Sequence, residues 1–500
     1  MKYILGIDQS TQGTKALLFD EEGNLAGRKD RPHRQIVNEK GWISHDPEEI
    51  YRNVIMVCRD VIQSAGIKKS HVAAIGISNQ RETSLAWDAG TGKPLCHAVV
   101  WQCARADRIC KRQDISRAAE RIREKTGLFL SPYFPAAKFR WMLEHTGEGG
   151  ETEGPLALGT MDTWLVYRLT GGKSYLTDYS NASRTQLYNI YEKKWDQEIC
   201  ALFGIDPGIL PRVQASDDCF GYTDLEGFLP KPVPIHGVLG DSHGALLGQG
   251  CLLPGMCKAT YGTGSSVMMQ TGEKPAASRH GLVTSLAWGL RGKVEYVLEG
   301  NINYAGAVVS WMKDNAGLIA SPEETEALCR QADPDDSLYL IPAFTGLGAP
   351  YWDSCAEGLF TGITRSTGRK ELVRAGVECI AYQIADVVRT MEADAGFMVS
   401  CLRADGGAAK NDYLMQFQCD ILEKEVAVSA REELSGWGAA YAAGLGIGLY
   451  GEASVDCGTG MKYRPGMEKE LREKKLAGWR HGVELAMSHG QENGIKSKQE

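Results

Sequence analysis

The sequence predicts an α/β protein built as two duplicated halves facing each other across a ligand cleft. Three observations carry that expectation: the length, an N-terminal β-meander followed by a helix and further strands, and a second strand–turn–strand unit near residue 260. Five hundred residues exceed what one hydrophobic core ordinarily organises, so the chain should divide into compact units. Tyr3–Ile7 and Lys15–Phe19 are strand-like runs joined by the polar turn Asp8-Gln9-Ser10-Thr11-Gln12-Gly13-Thr14, and a third strand follows the turn at 21–24. The span Asp46–Ala65 reads as a helix, with Asp46 placed to cap it, Pro47 at its first position and apolar residues at helical spacing. Val72–Ser78 and Thr83–Trp87 read as strands, and 96–250 as mostly turns and helices. The opening pattern then restarts: Cys257–Tyr261 and Ser266–Gln270 flank a second glycine-bearing polar turn, Gly262-Thr263-Gly264. The expected units are 1–250, 251–487 and a polar, frayed tail over 488–500.

Composition narrows the function. A hydrophobic fraction of 43% and a charged fraction of 24% are those of a soluble globular protein. The net charge of −8 leaves no basic footprint for nucleic acid, so an anionic ligand must be held by local dipoles, a few cations or a metal. No apolar run approaches membrane-spanning length, and Met1-Lys2 leads straight into a strand rather than a signal pattern, so no membrane partner and a cytoplasmic location are expected. The 14 cysteines are scattered, with neither Cys-x-x-Cys nor His-x-x-x-His, which favours reduced, buried thiols over a disulfide framework or structural zinc.

Several segments carry chemistry. A tight turn between strands, as in Asp8–Lys15, points successive N–H groups into one concavity that can bind phosphate oxygens, and Asp8 at the strand end can face Mg²⁺ directly or through water. An ordinary hairpin capped by Asp is the alternative. Gly262-Thr263-Gly264 has the same two readings, and its pairing with the first turn across the repeat strengthens both. Ala404-Asp405-Gly406-Gly407 through Asn411 opens a helix running to Leu422, where glycines allow close approach to a nucleotide or merely tight packing. Asn79-Gln80-Arg81-Glu82 offers donors and acceptors suited to adjacent alcohols, or else a surface ion pair. Trp101 can lie against a carbon chain or fill the core. Asp241, following Gly240 at a strand end, is placed either to accept a substrate proton or to cap a helix. His243 is a candidate base, or a residue of the helix surface or cleft lining.

The order and spacing of these segments resemble the glycerol kinases within the FGGY family of carbohydrate kinases. The residues that carry the resemblance are Asn79-Gln80-Arg81-Glu82-Thr83, Val100-Trp101-Gln102-Cys103, Met161–Leu165, Asn181-Ala182-Ser183-Arg184-Thr185, Thr260–Gly264 and Pro342–Trp352. Tyr133–Met142 and Gly358–Glu378 resemble the two signatures of the wider sugar-kinase family. The resemblance implies two actin-like, ribonuclease-H-like ATPase domains closing on ATP and a small polyol or sugar. It implies Asp241 as catalytic base, with Arg81, Glu82, Trp101, Tyr133 and Asp241 around the alcohol. Thr11, Gln12, Lys15, Thr263, Gly306, Gly407 and Asn411 would hold the nucleotide, with Asp8 near Mg²⁺. Relatives commonly assemble as homodimers or homotetramers, and the same is implied here.

Departures from the pattern bear on the acceptor. Ser242 stands where glycerol kinases carry Gln, Ser266 where they carry Phe, and Asn303, with Asn301 close by, at a further aromatic position. Ser10 replaces a usual Gly in the first turn, and Gly376 sits where a larger residue is usual. Replacing Phe by Ser enlarges the implied pocket and removes an apolar wall, and the two asparagines add hydrogen-bonding capacity that discriminates against acceptors lacking the matching hydroxyls. The expected acceptor is therefore a four- or five-carbon polyol or ketose, with glycerol itself as the alternative. A non-catalytic actin-like sensor would keep the phosphate turns and lose the acceptor residues; Arg81, Glu82 and Asp241 are all present.

Overall fold

The computed structural model describes residues 1–146, 154–451 and 458–496. Its centre is a pair of sheets built to one plan. In the first, strand Tyr3–Gln9 pairs antiparallel with Gly13–Phe19, which pairs antiparallel with Leu25–Pro32. On its other side Tyr3–Gln9 runs parallel to Val72–Asn79, which runs parallel to Val233–Gly240. In the second, Cys257–Tyr261 pairs antiparallel with Ser265–Gly272, and that strand with Lys293–Ile302. Cys257–Tyr261 also runs parallel to Cys401–Asp405, which runs parallel to Glu425–Ser429. The repeat expected from two polar turns is thus a repeat of five-strand topology.

Local chemistry explains the elements. Helix Pro47–Ser64 begins where Asp46 accepts from the Glu48 N–H and proline occupies the first turn, and it buries Ile50, Val54, Val57, Val61 and their neighbours at helical spacing. Tyr3–Gln9 is buried along its whole length, as a central strand should be. The edge strand Leu25–Pro32 is largely exposed and carries Arg28, Lys29, Asp30 and Arg31, charges that oppose further strand pairing.

Several features depart from the sequence-based expectation. Ser84–Asp88, expected as a continuation of the strand pattern, belongs to a separate five-stranded sheet with Ala98–Val99 and Leu156–Thr160. Leu156–Thr160 lies within the stretch read as turns and helices; five residues running directly into helix Met161–Leu169 give little periodicity. Most of the expected polar tail is the end of helix Lys469–Lys496, while 497–500 lie outside the described residues.

Helix Leu434–Gly446 comes from the second half of the chain and packs on the first sheet. Small residues permit it: a Cβ on Gly76 or Gly237 would lie 2.3 or 2.2 Å from the Ala439 carbonyl oxygen. The same helix crosses Asp241–Gly248 so closely that a Cβ on Gly438 would lie 1.9 Å from the Gly244 carbonyl oxygen. A mixed core of Leu17, Phe19, Leu246, Met268, Trp288, Trp437 and Tyr441 joins the two halves at this crossing. Gly376, inside helix Arg369–Ala395, leaves the space filled by Met312, whose sulfur would lie 2.5 Å from an added Cβ.

Candidate active site

Strand ends of both sheets converge on a cleft of about 780 Å³. Of the residues expected to form a site, Thr11, Gln12, Arg81, Glu82, Trp101, Tyr133, Asp241, Ser242, Thr263 and Ser266 line it. A larger cavity of about 1070 Å³ opens beside Trp311, Phe344 and Phe360, but among the described residues its lining holds Asp314 and Glu357 and no lysine or arginine, which suits a phosphate ligand poorly.

The first turn is closed by the Ser10 N–H donating to the Gly13 carbonyl at 2.9 Å. Pairing places Lys15 opposite Asp8. The Asp8 carboxylate is buried and accepts one hydrogen bond, from Ser78 Oγ at 3.0 Å. Burial pushes its pKa up to about 6, against the opposing pull of Lys15. Lys15 is itself engaged, with Glu433 at 2.6 Å. Trp101 Nε1 donates to Thr11 Oγ1 at 2.9 Å, which ties Trp101 to the first turn. The Trp101 ring meets Tyr133 edge-on at 5.5 Å.

Arg81 and Glu82 do not form the surface pair considered from sequence. Both are buried, and their charges are satisfied from elsewhere. Arg81 donates through both terminal nitrogens to Glu299, each at 2.8 Å, and its Nε lies 3.3 Å from Asp241 Oδ1. Arg184 donates to Glu82 at 2.6 Å and to Glu299 at 2.9 Å. Two guanidiniums and two carboxylates therefore make a buried network, with Glu299 supplied by the second sheet and the other three by the first half. Glu82 adopts a left-handed backbone, φ 60°, and its carbonyl accepts from Ser84 Oγ at 3.0 Å and Lys138 Nζ at 3.2 Å. Lys138 also donates to the Tyr133 carbonyl, and burial lowers its pKa to about 7.

Asp241 is the first residue of helix Asp241–Gly248, whose cap position is Gly240, so it is not the capping residue considered from sequence. Its Oδ1 accepts from the Ser242 N–H at 2.6 Å, and its side chain is 35% exposed, open to an incoming hydroxyl. His243 is neither on the helix surface nor in the cleft lining. It is fully buried, near Ser285 Oγ at 3.3 Å, and burial holds its pKa well below the usual value.

The second sheet supplies the opposite wall. Helix Gly306–Asp314 starts on the Gly262–Gly264 turn, with Gly306 N–H donating to the Gly262 carbonyl at 2.9 Å and Ala307 N–H to that of Thr263 at 2.9 Å. Gly406, φ 98°, packs against Tyr261, where a Cβ would lie 2.5 Å from the carbonyl oxygen, while the Cβ position of Gly407 is open. Asn411 caps helix Asp412–Leu422, accepting from Leu414 N–H at 3.0 Å. Gly306, Gly407, Asn411, Asp8 and Lys15 thus flank the cleft rather than line it.

Sequence reasoning did not single out Glu299, Lys258 or Asp405, and it gave Arg184 no role. A lone Glu in the apolar run Tyr296-Val297-Leu298-Glu299 was the available signal, because a charge in a buried strand needs a partner.

Two ribonuclease-H-like domains joined at a close helix crossing, with glycine turns and a carboxylate facing one cleft, are the architecture of an actin-like ATPase fold adapted to phosphoryl transfer. Comparison with known proteins agrees. The N-terminal domain of the FGGY family of carbohydrate kinases matches residues 3–248 and its C-terminal domain residues 257–447. Glycerol kinase 1 of Thermotoga maritima is 46% identical over 487 residues, covering 96% of this chain and 99% of that protein. A glycerol kinase of Alkaliphilus oremlandii is 44% identical over 503 residues, covering 99% of this chain and 100% of that one. The crystal structure of Plasmodium falciparum glycerol kinase with ADP superposes with a TM-score of 0.91 at 34% identity, covering 97% of this chain and 98% of that one. A gluconate kinase from Lactobacillus acidophilus shares the fold, with a TM-score of 0.87 at 21% identity and 98% of each chain covered. The chain belongs to the FGGY family of carbohydrate kinases, and it is an ATP-dependent kinase acting on a small polyol or sugar.

Proposed function

We propose that the protein transfers the terminal phosphoryl group of ATP to a primary hydroxyl of a four- or five-carbon polyol or ketose, with Asp241 as the general base. Asp241 takes the proton of the attacking hydroxyl while Arg81 Nε, 3.3 Å away, fixes the orientation of its carboxylate. Arg81, Glu82, Trp101 and Tyr133 hold the alcohol, and Thr11, Gln12, Lys15, Thr263, Gly306, Gly407 and Asn411 serve the nucleotide. Closure of 1–250 against 251–487 around the Gly244–Gly438 crossing would exclude water, the competing acceptor.

Asp8 fits a magnesium-facing role. Its buried carboxylate has one hydroxyl donor, and a cation would satisfy the remaining lone pairs. Among the described residues no group of three or more His, Cys, Asp or Glu is arranged as a metal cage. That accords with an ion that keeps much of its water. Mg²⁺ would neutralise phosphate charge there. Among the described residues no helix is long and apolar enough to cross a membrane. A cytoplasmic location and assembly as a homodimer or homotetramer complete the proposal.

The size of the acceptor rests on one observation. Ser266 lines the cleft, its hydroxyl has no hydrogen-bond partner among the described residues, and it pairs across the strands with Asn301, two residues before Asn303. A turn about its Cα–Cβ bond would bring that buried hydroxyl to the cleft, where a longer acceptor would supply the missing partner. Glycerol is the second reading, favoured by relatives named glycerol kinase at 46% and 44% identity. Coupled ADP release with glycerol, erythritol, threitol, xylitol and pentuloses separates the two. A four- or five-carbon acceptor should give the highest kcat/KM. Glycerol leading by a wide margin overturns the larger acceptor, and ADP release indifferent to every alcohol overturns the kinase reading in favour of a sensor.

A further inference from the structure

A phosphoryl group in transfer carries charge that the cleft must meet with donors, and the cations there are unequally committed. Among the described residues, Arg81 and Lys258 are the lysine or arginine side chains lining the cleft. Arg81 is consumed by Glu299 and Asp241. Nearby, Arg184 is paired with Glu82 and Glu299, and Lys15 with Glu433. Lys258 differs. Its ammonium is buried and donates to Thr260 Oγ1 at 3.0 Å, and among the described residues no carboxylate oxygen approaches it within 4.0 Å.

Strand Cys257–Tyr261 places Lys258 and Thr260 on one face, leading into the Gly262–Gly264 turn. Thr260 Oγ1 donates in turn to Asp405 at 2.8 Å, so its lone pairs are what Lys258 meets. An ammonium has three donors, and one hydroxyl acceptor leaves two without a protein partner. Burying such a charge is costly unless something completes it, and apolar residues would serve a purely structural purpose better. Lys258 lines the cleft together with the second glycine turn and Asp241.

We propose that Lys258 is a catalytic residue whose ammonium donates to the oxygens of the phosphoryl group as it passes from ATP to the acceptor. This rests on the kinase reading above. In the step, the bond from the transferred phosphorus to the ADP oxygen breaks, and a bond to the acceptor oxygen forms. The acceptor proton goes to Asp241, and Lys258 keeps its own protons throughout. Its contribution is electrostatic and greatest where charge is spread over the transferring group.

The test uses the full-length Lys258→Met and Lys258→Ala proteins. Acceptor-dependent ADP release is measured with the parent's best alcohol, alongside acceptor-free ATP hydrolysis, ADP affinity by calorimetry and the thermal midpoint. Lys258→Met should melt at or above the parent's midpoint and bind ADP within about threefold of it, yet lose about 100-fold or more in kcat for both reactions. Added ethylammonium should restore part of the lost kcat of Lys258→Ala and leave the parent unchanged, and this arm decides the matter if the methionine variant does not fold. A folded Lys258→Met with kcat within about fivefold of the parent overturns the proposal, as does failure of ethylammonium to rescue. A parent that releases no ADP under any condition overturns the kinase reading itself, a result distinct from either.

Discussion

Replacing Asp8 by asparagine removes a charge that folding buries against its preference for water. In the folded protein, without nucleotide or metal, the Asp8 carboxyl titrates at about 6 rather than its ordinary 3.8 because burial disfavours the charged form. The folded state therefore holds a proton through a window in which the unfolded chain has released it. Stability falls as pH rises from about 4 to about 6 and stays lowered above that. At roughly 1.4 kcal/mol per pH unit the shift amounts to about 3 kcal/mol, an upper figure because local water relieves part of it. Asparagine does not titrate, and its amide oxygen can keep the Ser78 contact. Asp8→Asn should match the parent near pH 3.5 and exceed it at pH 8 by up to about 3 kcal/mol, several degrees in melting temperature. Thermal melts of both proteins across pH 3.5–8, in chelator, read the difference directly. The same variant should lose nearly all acceptor-dependent ADP release, the stability-for-function exchange expected where a charge is held for a ligand. An asparagine variant less stable than the parent at pH 8, or a gain equal at pH 3.5 and 8, would refute the argument.

Other perturbations probe the remaining parts. Glu299→Gln leaves Arg81 without its two-fold partner inside a buried network and should cost about 3–5 kcal/mol in denaturant unfolding, together with a large fall in kcat. Gly438→Ala puts a Cβ 1.9 Å from the Gly244 carbonyl oxygen, so it should force the helices apart and destabilise by about 3 kcal/mol or more, seen as a lowered melting temperature. Ser266→Phe refills the cleft wall; kcat/KM for glycerol should rise relative to pentitols by about 10-fold or more, and an unchanged ratio would remove Ser266 from specificity.

Much of this protein is local and therefore readable from the chain. Asp8–Lys15 and Gly262–Gly264 declare themselves because a strand that ends in a tight turn must change composition abruptly, whatever packs around it. Helix Pro47–Ser64 does so because its cap and its buried stripe lie within one short window. The position of Asp241 at a strand end is legible in the chain, but only the backbone around Gly240 distinguishes a first helical residue open to the cleft from a capping one. What the chain left undecided depends on partners far along it. Arg81 and Glu299 stand 218 residues apart, and nothing near either says that the other will neutralise it. Lys258, Thr260 and Asp405 become one cluster only when parallel strands Cys257–Tyr261 and Cys401–Asp405 come into register. Helix Leu434–Gly446 lies on the sheet of the other half because glycines on both sides let backbones touch, a fit of surfaces rather than of sequence pattern. Backbone form follows from neighbours within a few residues, whereas the fate of a buried charge follows from whichever distant group the topology sets beside it.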